Sequence, residues 1–167
     1  IRFKFYIPLL RKWNIIIDKY LGINTETVVD ISTFGFNESI GNRQESTPRR
    51  HLHIILSSLS ISENDVFIDM GCGVGRVMLA AGMYPFKEII GVDVSAELND
   101  ICESNIKKMK HRLKCKKYKN ITSNASEYKI PRDATFIYFF NPFGKEVMKN
   151  VFEAILDSIS QFPRKVT

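Results

Sequence analysis

Two hydrophobic periodicities alternate along this chain. Leu9, Leu10, Trp13, Ile16, Ile17, Tyr20 and Leu21 recur at helical spacing and predict an N-terminal helix. Residues 23–47 are polar and irregular, with Gly35, Gly41 and several Asn and Ser residues, and they read as a loop. A second helix follows, with Thr47 as N-cap, Pro48 as first helical residue, and Leu52, Ile55, Leu56 and Leu59 on its apolar face. The stretch that begins Asp65-Val-Phe-Ile-Asp69 reads as a buried strand that ends in an acidic residue and runs into a glycine-rich turn. Val77 to Met83 continues as a helix stopped by Pro85, and Glu88-Ile-Ile-Gly-Val-Asp93 is a second strand. Ser95 caps a helix whose face holds Leu98, Ile101, Cys102, Ile106, Met109 and Leu113. A strand near residues 120–123 and the continuous apolar run Ala134 to Phe140 come next. Val147, Met148, Val151, Phe152, Ile155, Leu156 and Ile159 trace a last amphipathic helix. The alternation of strands and helices predicts an α/β fold with a mostly parallel sheet.

The chemistry concentrates at the first strand–helix turn, Asp69-Met-Gly-Cys-Gly-Val-Gly75. Glycines let backbone approach a ligand closely and adopt conformations that other residues resist. Free N–H groups at such a turn and at the following helix favour an anionic group. Asp93 ends the second strand roughly 20 residues past the first glycine, where an acid accepts hydrogen bonds from ribose hydroxyls. The glycines Gly71, Gly73 and Gly75 are spaced G-x-G-x-G, and Arg76 stands where a dinucleotide fingerprint would place its third glycine. That disfavours a nicotinamide enzyme. No Gly-Lys-Ser/Thr follows, so a phosphate-binding P-loop is excluded.

The pattern Asp-x-Gly-x-Gly-x-Gly with a second acidic strand resembles motif I of the class I S-adenosylmethionine-dependent methyltransferases. The resemblance covers residues 47–167 and implies a Rossmann-like three-layer α/β/α sandwich with strand order 3-2-1-4. It also implies S-adenosylmethionine as cofactor and methyl transfer to an unidentified acceptor as the reaction. Carried onto this chain, it assigns the cofactor to Thr47, Asp69, Gly71, Cys72, Gly73, Gly75, Asp93, Val94, Asn124 and Ala125. Asp69 would hold the loop and the methionine amino group, Asp93 the ribose, and Asn124-Ala125 the adenine. The family usually has an acid where Asn124 stands, and a simple turn residue is the other reading of Asn124. Phe140-Asn-Pro-Phe143 is similar to the Asn-Pro-Pro-Tyr/Phe motif of amino-group methyltransferases, with one proline fewer. It makes Asn141, Pro142 and Phe143 the candidates for presenting an acceptor nitrogen, against a plain strand-to-helix turn. A more distant resemblance is to the histone lysine methyltransferases outside the SET class. By itself it identifies no protein substrate.

Composition adds limits. The chain has 167 residues, enough for one sizeable core, and divides into an N-terminal helix and lid-like segment (1–46) and the cofactor-binding domain (47–167). The family sheet has further strands, so the ending at Thr167 reads as that of a fragment with one flank of the last strand left open. Cys72, Cys102 and Cys115 show no Cys-x-x-Cys spacing, which predicts reduced thiols in a cytoplasmic protein, and Cys72 reads as a small filler in the turn. His51 and His53 lack ligand partners at metal spacing, so no metal is expected. No run approaches the ~18 apolar residues of a membrane span. The basic N-terminal helix suits a membrane surface or, as the favoured reading, packing on its own domain. Residues 107–119 carry most of the net charge of +6. A non-catalytic nucleic-acid-binding module is therefore the alternative, less favoured than a solvated lysine-rich helix end. Arg49 and Arg50 are further candidates for substrate contact.

Overall fold

The computed structural model describes residues 3–26 and 46–167. The lid expected between Phe34 and Thr47 lies outside the described residues, apart from Ser46 and Thr47. The elements are α1 (Phe3–Leu21), α2 (Arg49–Ser57), β1 (Val66–Met70), α3 (Arg76–Gly82), β2 (Glu88–Asp93), α4 (Ala96–Met109), β3 (Tyr118–Thr122), β4 (Ala134–Phe139) and α5 (Lys145–Gln161). The four strands form one sheet in the order β3-β2-β1-β4, and every pair is parallel. This is the predicted Rossmann-like arrangement.

Both central strands are buried along their whole length, as continuous apolar runs require when helices cover both faces. Side chains alternate across the sheet. Phe67, Ile89 and Phe136 pack with Met78, Cys102, Leu52 and Leu56 on the face of α2, α3 and α4. Ile68, Met70, Ile90 and Val92 pack with Val147, Val151 and Ile155 of α5 on the other. Fully burying a side chain of this size contributes about 1.5–3 kcal/mol. The Ser95 hydroxyl caps α4 by accepting from the Leu98 N–H at 3.2 Å, as the sequence predicts.

Several expectations change. Thr47 does not cap α2: the cap position is Pro48, without a side-chain bond, and the Thr47 hydroxyl lies 3.1 Å from that of Tyr138 instead. The stripe of α1 packs on the domain only in part: Leu21 lies against Leu79, Met109 and Leu113, whereas Trp13, Ile16 and Tyr20 are exposed. Asp18 makes the polar contact from that helix, pairing with Arg49 and accepting from Thr25. One Arg49 nitrogen is thus committed to Asp18, and its Nε has no hydrogen-bond partner. Phe152 and Leu156 of α5 are also exposed, whereas Val151 is fully buried. Thr167 meets β4: its N–H donates to the Thr135 carbonyl (2.9 Å) and its carbonyl accepts from the Ile137 N–H (3.0 Å). The flank expected to stand open thus has a partner there. In the basic segment, Lys117 and Lys119 both pair with Glu88, at 3.1 and 2.9 Å.

The turn after β1 is fixed by close packing. Gly75 has φ +82°, and a Cβ there would run into the Cys102 sulfur. Gly75→Ala is expected to cost about 1–3 kcal/mol in a urea unfolding titration. A change below about 0.5 kcal/mol, the size of a neutral surface substitution, would contradict this packing.

Candidate functional site

The site lies at the carboxyl ends of β1, β2 and β4, where a ligand binds in an open α/β sheet. Asp69 is the penultimate residue of β1 and sits opposite Gly91 of β2 and Tyr138 of β4. It is only 2% exposed, yet its Oδ2 has no hydrogen-bond partner. A buried, unpartnered carboxylate is costly. Burial, and then the charge of nearby Asp93, push the Asp69 carboxyl up to about 8, so at neutral pH it holds its proton. Ser46, Thr47, Asp69, Gly71, Cys72, Arg76, Tyr138 and Phe140 line a small polar cleft at this point.

Asp93 is brought to the same turn, and its carboxylate holds the turn together. Its Oδ2 accepts from the Gly73 N–H at 2.8 Å, and its Oδ1 from the Ser95 N–H at 3.0 Å. Burial raises its pKa, while the N–H groups of Ser95, Gly73 and Val94 pull it back. A carboxylate oxygen has two lone pairs, so each retains capacity for a ribose hydroxyl. Gly71 takes φ +84°, and a Cβ there would lie 2.5 Å from that of Pro142. The Asn141-Pro142-Phe143 turn therefore rests directly on the glycine loop. Asn141 itself adopts φ +47°, a conformation uncommon outside glycine.

The adenine-side candidates are placed differently. The side-chain oxygen of Asn124 accepts from the Ser126 N–H (3.1 Å) and hydroxyl (2.8 Å), which is an Asx-type turn. Ala125 is buried among Val92, Val147 and Tyr128. Cys72 is buried, with its sulfur 3.5 Å from Asn120 Oδ1 and 3.6 Å from Asn99 Oδ1. Its thiol is pushed well up by Cys102 and by burial, so it is a filler of the turn. His51 and His53 are exposed, and among the described residues no three His, Cys, Asp or Glu side chains gather as a metal site. Among the described residues, no helix is long and apolar enough to cross a membrane.

Sequence reasoning missed the polar residues behind the cleft. Arg76, read there as a missing glycine, is 4% exposed and donates to Thr25, Glu26 and Thr47. Asn105 of α4 donates to the Val74 carbonyl at 3.0 Å. The signal for Arg76 was a charged residue between a glycine and an apolar run, and for Asn105 a polar residue at helical spacing from Ile101, Cys102 and Met109.

A cofactor with a cationic amino group fits the donors present. The unpartnered Asp69 oxygen supplies an acceptor for it, beside a turn whose glycines Gly71 and Gly75 admit the close approach of Pro142 and Cys102. Comparison with known proteins agrees. A histone lysine methyltransferase of Dictyostelium discoideum, specific for lysine 79 of histone H3, is 33% identical over 78 residues, 46% of this chain and 4% of that protein. The chain thus spans a small part of that relative. The fold is shared with precorrin 8w decarboxylase of Methanobacterium thermoautotrophicum (TM-score 0.55, 23% identity, 69% of this chain and 59% of the other). It is shared also with an rRNA methylase of Streptococcus thermophilus (TM-score 0.52, 15% identity, 68% and 65%). Residues 45–159 match the family described as histone methylation protein DOT1, an S-adenosylmethionine-dependent methyltransferase family, and the chain belongs to it.

Proposed function

We propose that this chain carries the methyl-transfer site of a histone lysine methyltransferase that uses S-adenosylmethionine. The observation that carries the cofactor half is the buried Asp69 carboxyl with one unpartnered oxygen at the glycine turn. The acceptor half rests on the family match and on the Dictyostelium relative, which is named for lysine 79 of histone H3.

The cofactor supplies an electrophilic methyl group on a sulfonium, so the protein has to align the partners and exclude water. Asp69 would hold the cationic amino group of the bound cofactor, its carboxyl releasing its proton to solvent as the pair forms. Asp93 offers its remaining lone pairs to ribose hydroxyls while keeping the Gly73 N–H in place. Asn141, Pro142 and Phe143 border the glycine loop from the β4 side, where the side-chain and carbonyl oxygens of Asn141 and Pro142 can orient a nitrogen. The nucleic-acid reading of the lysine-rich segment is not favoured, because the family match and the Dictyostelium relative both point to histone methylation.

The direct test is to incubate the purified chain with S-adenosylmethionine and nucleosomes, free histone H3 or transfer RNA, and to locate new methyl groups by mass spectrometry. Methylation of an H3 lysine is expected, with Asn141→Ala slowing turnover more than it weakens cofactor binding. Methylation of RNA alone, or of no histone, would overturn the acceptor.

A second test concerns pH. The folded Asp69 carboxyl keeps its proton up to about pH 8, whereas the ordinary value is 3.8. Between those values the folded state binds more protons than the unfolded one, so stability falls as pH rises through the window. Asp69→Asn removes this dependence. It is expected to flatten the stability–pH profile, to raise the melting temperature at pH 8, and to weaken S-adenosylhomocysteine binding. Identical profiles for the two proteins would show that Asp69 is not the buried acid described.

A further inference from the structure

Residues 24–26 and 46–47 lie side by side in the structure. The Ser46 hydroxyl donates to the Thr25 carbonyl at 2.6 Å. One guanidinium holds both strands of this pair. Arg76 Nε donates to the Thr25 hydroxyl (3.0 Å), Nη2 to the Thr25 carbonyl (2.7 Å) and to Glu26, and Nη1 to the Thr47 carbonyl (3.4 Å). Arg76 is the first residue of α3 and follows Gly75 of the glycine turn directly.

A second side chain makes a parallel connection from another helix. Asn105 of α4 is 1% exposed. Its Nδ2 donates to the Val74 carbonyl inside the turn (3.0 Å) and to the Asn24 carbonyl (2.8 Å), and its Oδ1 accepts from the Asn24 N–H (2.9 Å). The chain at 24–26 is therefore tied to the glycine turn and the start of α3 through two polar clamps, each made by a buried side chain. Thr47 completes the circuit, because its hydroxyl meets that of Tyr138 on β4, beside Asp69. Every Arg76 nitrogen is already engaged with protein oxygen, so this residue acts on a ligand through what it holds.

We propose that Arg76 and Asn105 are positioning residues that couple cofactor binding at the glycine turn to the paired segments 24–26 and 46–47. The inference rests on the cofactor reading above. A ligand that fixes the turn fixes the Val74 carbonyl and the start of α3. The clamps pass that constraint to Asn24, Thr25 and Thr47, and the free energy is returned as affinity. An Arg buried among carbonyls is costly to keep unless all its donors are met, so the geometry has little room to drift.

The test uses calorimetric titration of S-adenosylhomocysteine into the full chain, with backbone amide exchange at Asn24 and Thr25 read with and without it. Arg76→Lys keeps a charge for Glu26 but loses the fork to Thr25 and Thr47; Asn105→Ala removes the other clamp. Val151→Ala, in the core beneath α5, is the control for lost stability without a lost clamp. Both clamp variants are expected to weaken binding by about five-fold or more, and Val151→Ala to lower the melting temperature with affinity unchanged. The ligand should slow exchange at Asn24 and Thr25 in the wild type and not in the clamp variants. Should Arg76→Lys fail to fold, Asn105→Ala carries the comparison alone. Clamp variants that bind like the wild type would overturn the coupling and leave the cofactor reading standing. A wild type that binds no S-adenosylhomocysteine would overturn both.

Discussion

One carboxyl group at the end of the central strand sets the terms for the site. Asp69 is enclosed by β2, β4 and the glycine turn, and one of its oxygens meets no donor. A fold maximising stability would place an apolar residue there, since an unpaired buried acid lowers stability whenever it is ionised. The chain tolerates it because the proton stays on in the free protein. The same feature makes the site selective. A ligand bringing a cation restores the carboxylate, and a neutral or anionic ligand does not.

The surrounding structure keeps that group in place. Pro142 closes over Gly71, Cys102 packs beneath Gly75, and Asp93 ties the middle of the turn to the start of α4. Each contact comes from a different element, so the turn is determined from β4, α4 and β2 at once. Arg76 and Asn105 extend the same network outward to residues 24–26. The polar groups therefore form a network at the carboxyl end of the sheet, above an apolar core.

The sheet was legible in the sequence because its determinants are local. Short apolar runs ending in an acid or a glycine, separated by helical stripes, leave little choice for the strands, and Ser95 marks its helix start by chemistry alone. The glycine turn with its two acids, and the Asn-Pro-Phe turn that closes on it, were legible for the same reason. What was not legible depends on partners distant in sequence. Thr47 looked like a helix cap, and its hydroxyl instead meets a tyrosine 91 positions away. Arg76 looked like an absent glycine, and its nitrogens instead donate to Thr25, Glu26 and Thr47. Helical spacing showed that α1 and α5 have apolar faces, but spacing does not say what a face meets. Trp13, Tyr20 and Leu156 turn out to be exposed. The bonds from Ser126 to the Asn124 side-chain oxygen follow from the local turn, which the residue's identity alone does not specify.

On the function proposed above, Asp69, its carboxyl protonated and one oxygen unpartnered, is the residue that would pair with the amino group of the cofactor. The most direct measurement is the carbon NMR titration of its carboxyl group, with and without S-adenosylhomocysteine. The account predicts a midpoint near 8 in the free protein and a fall toward or below the ordinary 3.8 when the ligand is bound. A midpoint near 3.8 in the free protein, or one that does not move on binding, would contradict it.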